Sequence, residues 1–191
     1  MPGQSATESH DLALDISESH LPYRKIHIIG GPGSGKTFSA KKLEKHLGLS
    51  AFDLDRVFWD QSQDSYIRAS EELRDEKLAE ILNNDNWIIE GVYYKWLAES
   101  FKCADIIIIL SPSVYLRQWR IFKRFLYRKF ILLEFKKETF SSFMEMFWWN
   151  QKFDSDNMIR IKTFISEHEH KIAFCKNYQE VLNAISAQQK Q

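Results

Sequence analysis

The hydrophobic residues of this chain fall into short unbroken runs that are separated by longer segments with helical spacing. Residues 26–29 form an apolar run that ends in glycines, which is typical of a buried strand. In residues 37–47, Leu43 and Leu47 lie four positions apart, as on one face of a helix, and Gly48 follows where that helix should end. The structured part of the chain is therefore predicted to begin with a strand, a glycine-rich turn and a helix.

The same alternation continues towards the C-terminus. We predict further strands at residues 51–54, 87–90, 105–110 and 171–175. We predict helices at residues 70–82, 113–128, 139–167 (in two pieces) and 178–187. Ser111 is placed to cap the helix 113–128, and Pro112 suits its first turn. Strands that alternate with helices indicate an α/β fold with a parallel sheet covered on both faces.

The first 22 residues differ in composition from the rest. They contain Pro, Gly, Ser and Thr, have no Lys or Arg, and include the acidic residues Glu8, Asp11, Asp15 and Glu18. We therefore predict a flexible N-terminal extension at 1–22. Residues 23–191 are predicted to form one domain, because a chain of 191 residues has the length of a single domain that can bury a core.

Composition narrows the possible partners. The chain has 26 basic and 26 acidic side chains, so it lacks the basic excess of a typical nucleic-acid-binding protein, and we do not expect direct nucleic-acid binding. Its longest apolar run, 106–110, is too short to span a bilayer, and its start lacks the features of a signal peptide. We therefore expect a cytoplasmic protein with no membrane partner, in which Cys103 and Cys175 are structural.

The most specific signal is the segment at residues 30–37, which reads GGPGSGKT and matches G-x-x-x-x-G-K-[ST] in full. Glycines let backbone N–H groups point inward around a phosphate, and the helix that follows adds its positive end. Lys36 can reach the β- and γ-phosphates, and the Thr37 hydroxyl can bind Mg²⁺. The predicted ATP-binding residues are Gly31, Pro32, Gly33, Ser34, Gly35, Lys36, Thr37 and Phe38. Lys36 is also predicted to be catalytic, and Thr37 to be the metal ligand.

Two further segments follow predicted strands, where ligands bind in open α/β sheets. Asp55 is the predicted catalytic residue of the acceptor side, because it can accept a hydroxyl proton or hold metal-bound water. The predicted acceptor-binding residues nearby are Asp53, Arg56, Trp59, Glu90 and Tyr93. Simpler interpretations remain open. The segment from Asp53 to Arg56 can be a polar turn beside a buried Trp, and Glu90 can be an exposed acid at the end of a strand.

The predicted helix 113–128 carries an arginine ridge, defined as Arg117, Arg120, Arg124 and Arg128. At about 100° per residue these positions fall within roughly an 80° arc, with Trp119, Phe122, Phe125 and Leu126 on another face. Arg117, Arg120 and Arg124 are predicted to be catalytic and Arg128 to bind substrate, since guanidinium groups stabilise phosphoryl transfer. A solvated face, a membrane-surface or partner helix, and a nucleic-acid patch are alternatives.

Four segments together resemble bacterial adenylate-kinase-like P-loop proteins described as DNA topology modulation proteins, related to FlaR. They are IIGGPGSGKT from Ile28, LDRVFW from Leu54, WIIEGVY from Trp87 and LRQWR from Leu116. The resemblance extends from residue 25 to about residue 185. It implies a nucleoside-monophosphate-kinase-like three-layer sandwich, with a five-stranded parallel sheet of order 2-3-1-4-5 and a helical lid at about residues 113–167.

The resemblance also implies that the P-loop holds ATP with Mg²⁺ and that the segments of Asp55 and Glu90 form the acceptor side. True adenylate kinases carry an acid-glycine-aromatic-proline-arginine motif where this chain has Glu90-Gly91-Val92-Tyr93, so AMP is not the expected acceptor. Our first hypothesis is an ATP- and Mg²⁺-dependent kinase of an unidentified small molecule. The second is a nucleotide-binding regulatory protein that affects DNA topology.

Overall fold

The computed structural model describes residues 23–60, 67–130 and 140–187. The chain alternates between five strands and the helices that connect them. The strands are β1 (Lys25–Ile29), β2 (Ala51–Asp53), β3 (Trp87–Gly91), β4 (Ile106–Leu110) and β5 (Ile172–Cys175). The helices are α1 (Lys36–Leu47), α2 (Leu54–Phe58), α3 (Glu71–Leu82), α4 (Ala98–Cys103), α5 (Val114–Phe130), α6 (Phe140–Lys152), α7 (Met158–Phe164) and α8 (Tyr178–Ser186). A π-helical turn, Phe153–Asn157, joins α6 to α7, and a 3₁₀ segment, Ser166–Lys171, precedes β5.

All five strands are parallel and lie in the order β2-β3-β1-β4-β5, which confirms the predicted fold class and sheet order. β1 lies at the centre, between β3 and β4. The carboxyl ends of all strands therefore meet at one edge of the sheet. The P-loop after β1 lies in the middle of that edge, and the residues that end β2 and β3 lie to one side of it.

Two apolar clusters cover the two faces of the sheet. Ile26 and Ile28 of β1 pack with α1 and α8 on one face, whereas Ile29 belongs to the cluster formed with α4 and α7 on the other. In β4, Ile106 and Ile108 are assigned to the first cluster and Ile107 and Ile109 to the second. This alternation follows from the period of two along a strand, and it explains why strands buried on both faces are almost uninterruptedly apolar.

The local predictions need correction at α2, at α4 and at the start of α5. The short helices α2 and α4 were not predicted, because each is too short to show a helical period. Ser113 rather than Ser111 begins α5, since its hydroxyl accepts a hydrogen bond from the Leu116 N–H at 3.4 Å, and Pro112 precedes the helix. The predicted extension 1–22 lies outside the described residues. Within the part of the chain that is described, no helix is long and apolar enough to cross a membrane.

Candidate functional site

The P-loop connects β1 to α1 through backbone conformations that require glycine. Gly33 has φ 70° and Gly35, the residue that precedes α1, has φ 100°. Both values lie in the left-handed region, which side chains with a Cβ rarely adopt. The Ser34 N–H donates to the Gly31 carbonyl at 3.2 Å, which closes the turn. The loop thus leads directly into the N-terminus of a 12-residue helix, where backbone N–H groups and the helix dipole favour an anion.

The first turns of α5 lie directly against this loop. A Cβ placed on Gly33 would approach the Arg117 carbonyl oxygen to 2.6 Å. The Arg120 guanidinium donates to the Gly33 carbonyl at 3.2 Å and to the Ser34 carbonyl at 2.9 Å. These contacts turn two loop carbonyls towards a cation and hold α5 beside the phosphate-binding turn.

Arg117 is buried rather than part of an exposed arginine ridge, and the predicted ridge is wrong in this respect. Its two terminal nitrogens donate to Asp154 Oδ1 at 2.7 Å and Asp154 Oδ2 at 2.8 Å. The second nitrogen also contacts the Asn150 carbonyl at 3.4 Å. A fully buried guanidinium needs such a bidentate partner, because an unpaired charge in the interior is costly. Arg117 therefore joins α5 to the π-helical turn.

The remaining two arginines of the predicted ridge, Arg124 and Arg128, lie further along α5 than Arg120. Arg124 is exposed and contacts Met146 Sδ at 3.0 Å, and its charge is one of those that lower the pKa of Lys36. Arg128, one turn further along α5, is half-buried. The predicted apolar face of α5 also needs correction, because the buried line is Arg117, Ile121 and Phe125, while Trp119 and Phe122 are exposed.

Lys36, at the first position of α1, lies among opposing charges. Burial lowers the pKa of its ammonium group below the ordinary value. The carboxylates of Glu90, Asp55 and Asp53 act in the opposite direction, in decreasing order of effect. The loop lysine thus faces three acids that the sequence places at the ends of β2 and β3.

Glu90 and Thr37 form the shortest link between β3 and the P-loop. The Thr37 hydroxyl donates to Glu90 Oε1 at 2.6 Å. Glu90 is 3% exposed, and burial raises the pKa of its carboxyl, against the effects of Lys36 and of the Thr37 hydrogen bond. Asp53 is the register partner of Glu90 across β2 and β3, and burial raises its pKa as well. The simpler interpretation of Glu90 as an exposed strand-end acid is therefore wrong.

Asp55 lies in the first turn of α2, which Asp53 caps by accepting a hydrogen bond from the Asp55 N–H at 2.9 Å. Its carboxylate accepts a hydrogen bond from the Tyr93 hydroxyl at 2.8 Å. The Trp59 side chain hydrogen-bonds the same tyrosine, and burial together with Asp55 raises the pKa of Tyr93. The ring of Tyr93 stacks on Phe58 at 4.5 Å. Asp55 is thus held in place by a tyrosine from the segment that follows β3.

A cleft of about 360 Å³ opens beside these acids. Its lining includes Thr37, Asp53, Arg56 and Glu90, together with residues of α1 and β2. Of the predicted ATP-binding residues, Phe38 points elsewhere, because its exposed ring meets Tyr178 of α8 at 5.8 Å.

Sequence reasoning missed the contribution of the π-helical turn. Phe153 is fully buried, and a Cβ on Gly31 would come within 2.9 Å of its ring. Asp154, the next residue, pairs with Arg117, which lies 37 positions earlier in the chain. A separation of that size leaves no local pattern, so only the burial of Arg117 reveals that it needs an acid.

The residues present fit Mg²⁺. A Thr hydroxyl, the Glu90 carboxylate at hydrogen-bond distance from it and the neighbouring Asp53 are hard oxygen ligands. Magnesium usually takes one or two such groups and completes its shell with waters and substrate phosphates. In the described segments no group of three or more His, Cys, Asp or Glu side chains is arranged to hold a metal by itself, which is compatible with that sharing.

No model of a known protein family matches this chain. Residues of the chain are 27% identical, over 96 positions, to a protein of Saccharolobus islandicus described as a putative adenylate kinase, and to a protein of Saccharolobus solfataricus with the same description. Each match covers 46% of this chain and 49% of the relative, so the chain spans about half the length of the curated relatives it matches.

Solved structures are similar over most of the chain. Shikimate kinase from Acinetobacter baumannii, in complex with shikimate, superposes with a TM-score of 0.54 and 16% identity, over 92% of this chain and 100% of that one. Deoxyadenosine kinase from M. mycoides, with bound dATP, gives a TM-score of 0.52 and 15% identity, over 87% and 100%. Together with the sheet order and the complete phosphate-binding motif, these similarities show that the chain has the fold of the P-loop kinases.

Proposed function

We propose that this chain is an ATP- and Mg²⁺-dependent phosphotransferase that acts on a hydroxyl group of a small molecule. The observation that carries the proposal is the grouping of Asp53, Asp55 and Glu90 around Lys36 at the mouth of the P-loop. A protein that only binds a nucleotide needs the loop, whereas transfer also needs groups that position an acceptor and its proton.

On the nucleotide side, the loop N–H groups and the N-terminus of α1 would hold the phosphates. Lys36 would reach the transferred phosphoryl group, and its charged form is supported by the three nearby acids. Arg120, which already lies on the loop carbonyls, and Arg124, which acts on Lys36, would stabilise negative charge from α5. Helix α5 would thus serve as the base of a lid, with Arg128 further out and Arg117 as its internal anchor.

Thr37 and Glu90 would hold Mg²⁺, with Asp53 contributing through the adjacent strand end. When bound, the metal neutralises charge on the phosphate oxygens. The Thr37–Glu90 hydrogen bond keeps both oxygens close together at the helix N-terminus, so little reorganisation is needed to form the site.

On the acceptor side, Asp55 would take the proton of the acceptor hydroxyl. The hydroxyl oxygen would attack the γ-phosphorus, and ADP would leave. The Tyr93 hydroxyl donates to one carboxylate oxygen of Asp55 and leaves the other for the acceptor. Arg56 and Trp59 follow Asp55 on α2 and at its end, where they would contact the rest of the acceptor. The relatives described as putative adenylate kinases support the kinase reaction but not the choice of acceptor.

Two variants with a matched control test this proposal. Lys36→Ala should lose ATP binding, or turnover, because the loop loses its cation. Asp55→Asn should retain ATP binding and lose about 10²–10⁴-fold in acceptor-dependent turnover, the usual contribution of a positioned base. Asp85→Asn, on an exposed turn between α3 and β3, is the control and should behave as the unsubstituted chain. Binding is measured by calorimetry, and turnover by ADP release over a panel of hydroxyl compounds.

Unchanged ATP affinity and turnover in Lys36→Ala would contradict the P-loop assignment. An active Asp55→Asn would instead remove Asp55 from the reaction while leaving the kinase proposal intact. The alternative of a regulator that affects DNA topology stays a prediction, and none of the relatives and structures named above carries that description.

A further inference from the structure

The outward side of α5, meaning the side opposite the buried Arg117, Ile121 and Phe125, exposes several large apolar side chains. Most surface helices direct polar side chains to solvent. Here Trp119 is 56% exposed and Phe122 38%, and they are followed along the helix by the exposed Tyr127 and Phe130. Tyr115 and Leu116, in its first turn, are exposed as well. Apolar surface of this extent marks an interaction site.

The helical geometry of α5 separates these exposed side chains from its buried ones. Arg117, Ile121 and Phe125 define the buried side of the helix. Trp119 and Lys123 lie two positions to either side of Ile121, which places each of them about 160° around the helix from it. They therefore point away from the buried side of α5.

The apolar surface continues onto α6 as a row of aromatic rings, the aromatic row, formed by Trp119, Phe122, Phe143 and Phe140. Successive ring centroids lie 6.0, 6.2 and 6.1 Å apart. Phe140 is 63% exposed. The row spans two helices, so it is a surface of the folded domain and not a feature of one segment.

Charge identifies the kind of partner. Helix α5 contains six basic side chains and no acidic one, although the whole chain is neutral. Arg117, Arg120 and Arg124 are directed to Asp154, to the P-loop carbonyls and to Met146, so the positive charge beside the apolar surface comes from Lys123. Lys123 lies beside the aromatic row, with its ammonium group 6.0 Å from the Trp119 ring. A partner that covers this surface must combine apolar character with negative charge.

We propose that the outward side of α5, with the aromatic row, binds the surface of a membrane that contains anionic lipids. An interfacial helix characteristically has Trp, Phe and Leu on one side and Lys and Arg beside them, and it lies in the membrane plane without crossing it. Anionic lipids attract such basic segments. This departs from the expectation of no membrane partner and agrees with one of the alternatives for this helix, a membrane-surface helix.

Single-stranded nucleic acid shares the negative charge but fits the surface less well. Bases stack on open ring faces. Here Lys123 lies over the Trp119 ring, and the rings of Phe122 and Phe143 contact each other. The aliphatic Leu116 is exposed on the same side of the helix, which suits the boundary between lipid headgroups and acyl chains.

The test is sedimentation of the full chain with vesicles, with and without nucleotide. We expect binding to vesicles of equal parts phosphatidylcholine and phosphatidylglycerol. Affinity for vesicles of phosphatidylcholine alone should be lower by at least about tenfold. Trp119→Ser and Phe122→Ser should each reduce affinity for the anionic vesicles by about tenfold. Lys123→Gln should reduce it by about fivefold. Phe174→Ser removes an equally exposed ring on β5, 57% exposed, and should have no effect.

Because all four side chains are exposed, the variants should fold, and their thermal unfolding checks this. The proposal is overturned if the chain fails to sediment, or if it binds neutral and anionic vesicles equally. It is also overturned if Trp119→Ser and Phe174→Ser behave alike. Salt-sensitive binding of a single-stranded oligonucleotide without vesicle binding would assign the surface to nucleic acid. Self-association that Trp119→Ser abolishes, again without vesicle binding, would assign it to a second copy of the chain.

Discussion

At the scale of single residues, His27 shows how the fold imposes a protonation state. It lies in the middle of β1, fully buried, with Nδ1 2.8 Å from the Ser100 hydroxyl and its ring 4.4 Å from that of Phe101. Its Nε2 has no partner among the described residues. Burial lowers the pKa of His27 from 6.5 to about 3. The interior therefore accepts a neutral imidazole and excludes the imidazolium.

This histidine should make stability depend on pH. As pH falls below 6.5, the unfolded chain binds a proton at this position before the folded chain does, so the free energy of unfolding decreases until about pH 3. The contribution is complete above pH 6.5, and the decrease is at most about 1.4 kcal/mol per pH unit. His27→Phe should be less stable at neutral pH and should show a shallower decrease between about pH 6.5 and 5.

Urea unfolding at several pH values measures this slope, and His170→Gln, at an exposed position, is the control. A His27→Phe variant with the same slope as the unsubstituted chain would show that another group causes the pH dependence. The sequence alone could not indicate this behaviour, because a single His within an apolar run does not reveal whether its ring has one partner or two.

At the scale of elements, the P-loop is held by contacts with α5 and the π-helical turn, which come later in the chain. Phe153, in the π-helical turn, leaves no room for a side chain at Gly31. Arg117 and Asp154 fix that turn to α5, and Arg120 fixes α5 to the loop carbonyls. Two elements, α5 and the π-helical turn, therefore enclose the phosphate-binding turn, whereas the motif itself specifies only the turn.

The Gly31–Phe153 contact can be tested by a double-mutant cycle. A Cβ at position 31 would lie 2.9 Å from the Phe153 ring, so Gly31→Ala should reduce the free energy of unfolding by about 1–3 kcal/mol. Adding Phe153→Leu makes space, and the double variant should be more stable than the sum of the single effects by about 1 kcal/mol. Gly48→Ala, at the left-handed end of α1, is the control, since its effect should simply add to that of Phe153→Leu. An additive result for Gly31 would show that the loop moves away from the ring freely.

Several of these elements could be predicted from the sequence. Glycines, strand-end acids and unbroken Ile runs are local signals. They predicted the strands and α1, and they predicted that Asp53 and Glu90 lie at the ends of neighbouring strands. The predicted separation of α5 into an arginine ridge and an apolar face was wrong, because Arg117 shares the buried side with Ile121 and Phe125, while Trp119 and Phe122 are exposed. Arg117 instead pairs with Asp154, which lies on a distant turn and is not revealed by the local pattern of α5. The strand order came from the resemblance and not from the residue pattern, since many orders satisfy the same alternation.

At the scale of the whole molecule, one sheet lies between the two apolar clusters and carries the P-loop at its edge. β1 lies between β3 and β4, and the loop that follows it contacts α5 and the π-helical turn. A ligand at this loop would therefore bind beside α5 and the π-helical turn, which come from later parts of the chain. Binding at such a point should stabilise the domain as a unit and not only the loop.

The last prediction follows from that arrangement. With ATP and Mg²⁺ at about a hundred times the dissociation constant, the free energy of unfolding should rise by about 2.7 kcal/mol through mass action alone. Thermal unfolding followed by far-UV circular dichroism should therefore shift upwards in one cooperative step, because the ligand binds where both halves of the sheet meet. Lys36→Ala should remove the shift at the same nucleotide concentration, whereas Asp85→Asn should retain it. If far-UV and tryptophan signals separated into two transitions when ATP was added, the site would stabilise only part of the domain, and the coupling of α5 and the π-helical turn to the P-loop would be contradicted.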